Sequence, residues 1–366
     1  MKVTINKEEI TPVVKELYQL KDKDFIIHPS KKTESMKEGE SLLKTFLEKN
    51  MLIDGKFITN YKRNEEESKG ELAVGHDSLS ESSGLWLRYL ALQGSEKEYD
   101  SFYKKTKKLF FRKGQFSYRL NANGTLSPVN ASIDDIRIME SLIEAANCFQ
   151  KPQYLEELKQ LLYTFQKQSL QGSVLVDFYN TDTKEAAHTI SLYYLSMKTL
   201  GYLYQMMKIP EKYLQYQYEI LENGYLSDEF PFYQAQYDYK TEQYVAKDKI
   251  NVIESLLSIL YLAEIGKARA ESIQYIKERV TTGTLYNTYT PEGEVVDKSQ
   301  SAASYAIVAM IAKEINDDLL YKQSMQILKN YQIMNPKSPI YGGIGNPTTL
   351  DVFSYNNLMA LLAYCY

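Results

Sequence analysis

Cysteine is scarce in this 366-residue chain: Cys148 and Cys365 stand far apart in apolar stretches, with no CxxC or Cys/His spacing. Zinc and iron–sulfur sites are therefore not expected. Histidine is scarcer still for the length, with only His28, His76 and His188, so no metal is assigned and no cofactor is expected. No run of 18 apolar residues exists, which argues against a membrane span. Basic residues do not exceed acidic ones (43 against 47, net charge −4), and no basic run suggests nucleic acid. A Gly-rich phosphate loop and a Ser-His-Asp set are both missing, which removes kinases and esterases. Met1-Lys2-Val3-Thr4 lacks the apolar core of a signal peptide. The protein is expected either in the cytoplasm or at the cell surface or outside it, with a leader that is not part of this sequence.

Tyrosine is what the chain has in excess: 32 Tyr and 13 Phe accompany a single Trp, Trp86. A tyrosine packs its ring and keeps a polar tip, which suits a wet groove that binds flat apolar faces. A tyrosine-rich core has the same composition.

Order appears in the spacing. Short aromatic or extended pieces start at Phe57, Phe116, Val174, Phe232, Leu285 and Ile340, 53 to 59 residues apart. Such a period marks stacked supersecondary units. Each unit reads as an amphipathic helix, a turn or hairpin, then a helix apolar on most sides. The first kind faces water and the second is buried. The buried ones are expected from the serines at 78–80 to Gly94, 132–149, 184–207, 249–265, 299–315 and 351–364. The outer ones are expected near 36–50, 95–112, 152–170, 210–224, 267–281 and 317–332. Six of each predict an all-α fold, a closed (α/α)6 barrel with short β-hairpin-like loops on one face. Residues 1–35 read as an N-terminal helix (6–20) and linker, and 36–366 as the barrel, expected as a monomer. An open helical-repeat scaffold is the alternative, but it would need polar end caps. The last inner helix is apolar at Leu358, Leu361, Leu362 and Ala363.

All inner helices then start on one face. Acids at those starts are Glu81, Asp134 with Asp135, Glu185, Asp248, Asp297 and Asp351. Helix dipoles favour acids there and explain most of them. Carboxylates ringed by tyrosines also match glycoside hydrolysis, in which one acid protonates the leaving oxygen and a second activates water or attacks the sugar. Tyr61, Tyr118, Tyr179, Tyr233, Tyr237, Tyr286 and Tyr341 fall in the loops at this mouth, and two or three of them are expected to stack on sugars. Trp86 or a loop tyrosine would give Glu81 low-polarity cover. His188 is within reach of the groove, with a hydrogen-bonded structural role as the alternative.

At Ser80-Glu81-Ser82-Ser83-Gly84 the sequence resembles the Ser-Glu-Gly-x-x-x-Gly motif of glycoside hydrolase family 8. That resemblance implies Glu81 as general acid at the start of an inner helix. Ala131-Ser132-Ile133-Asp134-Asp135-Ile136-Arg137-Ile138 resembles the family's Ala-Thr-Asp-x-Asp-x-Asp-Ile stretch. It implies Asp135 as the aspartate that contacts the central sugar, with Asp134 able to cover for it. Lys247-Asp248-Lys249-Ile250-Asn251 lines up with Tyr-Asp-Ala-x-Arg, lacking its Tyr and Arg, and implies Asp248 as a base, with Asp134 as the alternative base. With these departures the chain looks more similar to family 126, related to families 8 and 48. Family 126 implies an inverting-type scaffold and amylase-like action on α-glucans; family 8 implies β-1,4-glucans, xylan or chitosan. The expected partner is an oligo- or polysaccharide. A non-catalytic glycan-binding protein and a polysaccharide lyase on the same barrel are the alternatives.

Overall fold

Hydrophobic periodicity decides which helices go inside. The computed structural model describes residues 9–63 and 75–366. In chain order the helices are α1 (Pro12–Leu17), α2 (Glu34–Phe46), α3 (Ser80–Leu92), α4 (Glu96–Phe110), α5 (Ser132–Cys148), α6 (Gln153–Gln168) and α7 (Met197–Met207). They continue with α8 (Glu211–Asn223), α9 (Val252–Ala263), α10 (Ala270–Thr282), α11 (Ala302–Glu314), α12 (Asp318–Tyr331) and α13 (Ser354–Ala363). From α3 on, the odd-numbered helices are buried nearly all round; in α11 every residue from Ala302 to Ala312 is buried. The even-numbered ones bury a stripe, such as Tyr99, Phe102, Thr106 and Phe110 in α4.

The inner helices close a ring. α3 packs on α5, α5 on α7, α7 on α9, α9 on α11, α11 on α13, and α13 returns to α3. Ser82 Oγ and Ser354 Oγ, 3.0 Å apart, tie the last contact with a buried hydrogen bond. The open-scaffold alternative is thereby excluded, and the fold is the (α/α)6 barrel. Residues 11–30 lie across the C-terminal ends of the inner helices. Thr11 Oγ1 donates to Gln215 Oε1 (2.8 Å), Phe25 meets the ring of Tyr202 at 5.3 Å, and Ser30 N donates to the Tyr366 carbonyl (2.6 Å).

Three outer helices lead to their inner partners through the same device. Leu52–Ile53 pairs with Lys56–Phe57, Phe111–Arg112 with Gln115–Phe116, and Leu170–Gln171 with Val174–Leu175. Both residues of each two-residue turn have positive φ: Asp54 and Gly55, Lys113 and Gly114, Gly172 and Ser173. That is the backbone of a type I′ turn, whose twist matches the strands it joins.

The starts of four inner helices differ from expectation. α7 begins at Met197 rather than 184, because Thr189–Ser191 pairs with Gln236–Asp238 and spends its backbone groups there. α9 begins at Val252, where Asn251 Oδ1 accepts from Ile253 N at 2.9 Å. α11 begins after Ser301, whose hydroxyl accepts from Ala303 N at 3.2 Å, and α13 begins at Ser354. Side-chain caps at Asn251 and Ser301, not the apolar run, set the ends of α9 and α11. Glu185, Asp248 and Asp297 consequently lie exposed in strands or loops, and Asp351 is held by Asn60 Nδ2 at 3.0 Å. The expected ring of six helix-start carboxylates is not formed. α1 is likewise shorter than the 6–20 expected; residues 1–8 lie outside the described residues.

Candidate active site

Strand pairing delivers the mouth end of α3. Ser78–Leu79 pairs with Arg119–Leu120, and Ser80 N donates to the Tyr118 carbonyl at 3.1 Å. A buried ion pair between Asp77 and Arg119 (3.1 Å) anchors this strand pair. Ser80 then turns its hydroxyl to the neighbouring helix, donating to Asp134 Oδ2 at 2.8 Å. Glu81 follows in the first turn.

One cation joins the two acids. Arg137 Nη1 lies 3.4 Å from Glu81 Oε2 and 3.3 Å from Asp134 Oδ1. Asp134 and Arg137 are one helical turn apart on α5, so both face α3. Gly84 makes the approach possible: a Cβ there would lie 3.0 Å from Arg137 Cβ. The glycine in the sequence motif thus keeps α3 close enough to α5 for Arg137 to reach Glu81.

Charge and burial compete here. The Glu81 side chain is 27% exposed and Asp134 is 6% exposed. Burial raises the Glu81 carboxyl, and Arg137 pulls against it. Burial, then the Glu81 charge, pushes Asp134 up to about 7, against the pull of Arg137 and Ser80. Two carboxyls share one guanidinium, so they titrate as a pair. Asp134 has both oxygens engaged, by Ser80 and Arg137.

Tyrosines form the wall. Tyr355 in the first turn of α13 and Tyr193 in the turn before α7 both feel the Glu81 charge; Tyr194 and Tyr261 feel Arg137. Burial raises all four phenols. Tyr193 also feels Glu254, its largest influence after burial, in the first turn of α9. Glu254 is pushed up to about 6 by burial, moderated by Lys247. With Tyr193, Gln236, Lys247 and Asn251 it lines a pocket of about 370 Å³. Asp177 holds this wall, accepting from Thr189 Oγ1 (2.6 Å), Ser191 N (2.6 Å) and Gln236 Nε2 (2.8 Å).

Several expected site residues lie elsewhere. Asp135 faces away from Glu81: it accepts from Phe116 N (3.0 Å) and Asn130 Nδ2 (2.6 Å), against Met139, Leu161 and Phe165. Adjacent residues on a helix diverge by a hundred degrees, so Asp134 and Asp135 point to different neighbours. Trp86 is 2% exposed in the core, edge-on to Phe57 at 5.3 Å and beside Tyr89 at 5.5 Å. Five residues after Glu81 it points to another face, so tyrosines, not Trp86, cover the acid. Asp248 is exposed and is not among the residues lining the pocket around Glu254. Tyr233 and Tyr237 are buried in aromatic clusters with Tyr225 and with Tyr239 and Tyr244. Tyr61 leans on Phe46 and Tyr286 on Tyr289; Tyr118, Tyr179 and Tyr341 are half-buried. His188 pairs with Asp238 (3.1 Å) and is 43% exposed. Arg137, Tyr193, Tyr355 and Glu254 escaped sequence reasoning. Only Arg137, three residues after Asp134, carried a local signal. Among the described residues no cluster of His, Cys, Asp and Glu is placed to hold a metal.

The arrangement resembles known proteins. No family model matches the chain. A solved structure described as a novel α-amylase from Clostridium perfringens is 31% identical, with a TM-score of 0.81 over 90% of this chain and 97% of that one. The endoglucanase Cel10 of Klebsiella pneumoniae, a family 8 glycosyl hydrolase, shares the fold at 14% identity, with a TM-score of 0.60 over 88% and 97% of the chains. The candidate lipoprotein YdaJ of Bacillus subtilis is 26% identical over 289 residues, 78% of each chain.

Proposed function

This chain belongs to the glycoside hydrolase family of the Clostridium perfringens α-amylase, and we propose that it is an inverting-type enzyme of family 126 that cleaves an α-glucan, with Glu81 as general acid. The protein is a glycosidase acting on a polysaccharide. The observation that carries the Glu81 role is its setting: a desolvated carboxyl in the first turn of α3, sharing Arg137 with Asp134.

In this reading Glu81 holds the proton and gives it to the glycosidic oxygen as the bond breaks. Asp134 keeps the negative charge and orients Arg137. As the proton leaves, the guanidinium stabilises the new Glu81 carboxylate, so the acid recovers without a bare buried charge. The oxocarbenium-like sugar develops positive charge beside this pair and the phenols of Tyr193 and Tyr355. Glu254, across Tyr193, takes the role of base in place of Asp248 and polarises a water on the far face of the sugar. An inverting pair needs roughly 6.5–9.5 Å between carboxyls to seat that water. The likeness to a candidate lipoprotein supports a place at the cell surface or outside the cell, and no helix of the described residues is long and apolar enough to cross a membrane.

The test is reducing-end release from starch, glycogen, cellulose and xylan by the wild type and by Glu81→Gln. Starch and glycogen should be cleaved, and the variant should lose about 10²–10⁴ in rate while melting normally. Cleavage of cellulose or xylan alone moves the substrate to β-linked glycans. Full activity in the variant removes Glu81 from the chemistry.

A further inference from the structure

We propose that the cleft takes a linear chain of pyranose units through its length, passing Glu81 into a second pocket where Phe353 is the stacking platform. The proposal rests on the glycosidase reading above. The pocket holds about 600 Å³ at the starts of α11 and α13, lined by Gln300, Tyr331, Asn346, Asp351, Phe353 and Asn356. That is room for two hexose units within the size range of ligand pockets.

Its position follows from the chain. Phe353, Ser354 and Tyr355 are consecutive; Ser354 bonds Ser82, the neighbour of Glu81, and Tyr355 feels the Glu81 charge. On the other side Tyr193 feels both Glu81 and Glu254 and lines the 370 Å³ pocket. Residues beside Glu81 thus lead to both pockets, and in the proposed mode a bound chain extends beyond the cleaved bond in both directions.

The lining suits sugar and not a lipid or peptide helix. Phe353 is 46% exposed at the cap of α13, with its backbone fixed by a bridge to Asn60 and by Ser354 N donating to the Thr59 carbonyl. A ring held on a rigid backbone gives a pyranose face a platform at little entropic cost. Around it the polar groups are amides, the hydroxyls of Thr349 and Tyr331, and one carboxylate. Asn356 Oδ1 accepts from Ser301 Oγ, and Asn346 Oδ1 accepts from the N–H groups of Thr348 and Thr349. Both amides spend their oxygens on the protein, which offers their NH2 groups to sugar hydroxyls.

Binding decides it. Calorimetry in the Glu81→Gln background compares maltoheptaose with maltotriose, and cellohexaose with cellotriose. One of the long chains should bind more tightly than its trisaccharide. Phe353→Ala should weaken that long chain roughly 2- to 12-fold, the size of one aromatic stacking contact, with less effect on the trisaccharide. Phe353→Trp should restore the affinity, and neither change should alter the melting temperature. The proposal is overturned if neither long chain binds, if Phe353→Ala changes nothing, or if it weakens long and short chains equally. Near-wild-type turnover of polysaccharide by Glu81→Gln counts against the acid assignment and leaves the affinity comparison standing.

Discussion

In the proposed mechanism Arg137 is the residue on which the chemistry turns, because it sits between buried Asp134 and partly exposed Glu81. Replacing it with methionine keeps the volume and leaves Glu81 and Asp134 to share one site without a cation. Removing one partner from a buried ion pair costs roughly 3 kcal/mol or more; here protonation of the second carboxyl relieves part of that. The expected outcome for Arg137→Met is a melting temperature below the wild type's by more at pH 8 than at pH 5, with little activity at either. A variant that melts like the wild type at both values would show that the guanidinium does not hold the pair. Gly84→Ala tests the same contact from the other helix. A methyl group 3.0 Å from Arg137 Cβ must move α5 or the arginine, so kcat should fall more than stability. The wild-type pH profile follows from the same residues. As the proposed base Glu254 must be ionised, so kcat/KM should fall below about 6. As the proposed acid site the Glu81–Asp134 pair must hold a proton, so it should fall again above about 7.

At the level of helices and loops, closure of the ring is what brings α13 against α3. Leu361 in α13 is fully buried, and Leu361→Ala should cost about 2–5 kcal/mol. Because the helix is part of a ring, urea unfolding should remain a single transition, whereas a terminal cap on an open stack would fray first. The inner and outer helices were legible in the sequence because all-round apolar runs and single stripes differ plainly. Their first residues were not. Glu254 was passed over because the run from Ile250 hid a cap at Asn251, which moves the helix start to Val252 and puts Glu254, not Asp248, in its first turn. Asp134 and Asp135 were both named, yet only hydrogen-bond partners from other loops, Ser80 and Phe116, decide which faces the cleft. Loop tyrosines such as Tyr233 became core because long loops fold back on outer helices, a contact that no local pattern encodes.

Across the whole barrel, buried acids accumulate at the closed end as well as at the mouth. Arg88 holds Glu144 with Nη2 at 2.7 Å and Nε at 3.0 Å, and Glu140 at 3.2 Å. Burial pushes Glu144 up to about 7; burial with the charges of Glu140 and Glu314 pushes Glu264 up to about 8. These carboxyls have ordinary values near 4 when unfolded, so the folded state binds more protons between about 4 and 8. Stability is therefore greatest near the acid end of that window and falls as pH rises through it. Below about 4 it should fall again, as acids such as Asp317, held low by Leu320 N and Lys277, lose their charge. Melting temperatures should peak near pH 5 and decline towards pH 9. A curve that rises over this range would contradict the burial of these groups.

The central claim is that Glu81 delivers a proton to a leaving sugar. It is tested by comparing Glu81→Gln on the polysaccharide that the wild type cleaves with the same variant on a dinitrophenyl glycoside of the same sugar. The dinitrophenyl group leaves without a proton. The account predicts that kcat/KM on the polysaccharide falls about 10²–10⁴-fold while the dinitrophenyl substrate is hydrolysed at close to the wild-type rate. Equal losses on both substrates would contradict it.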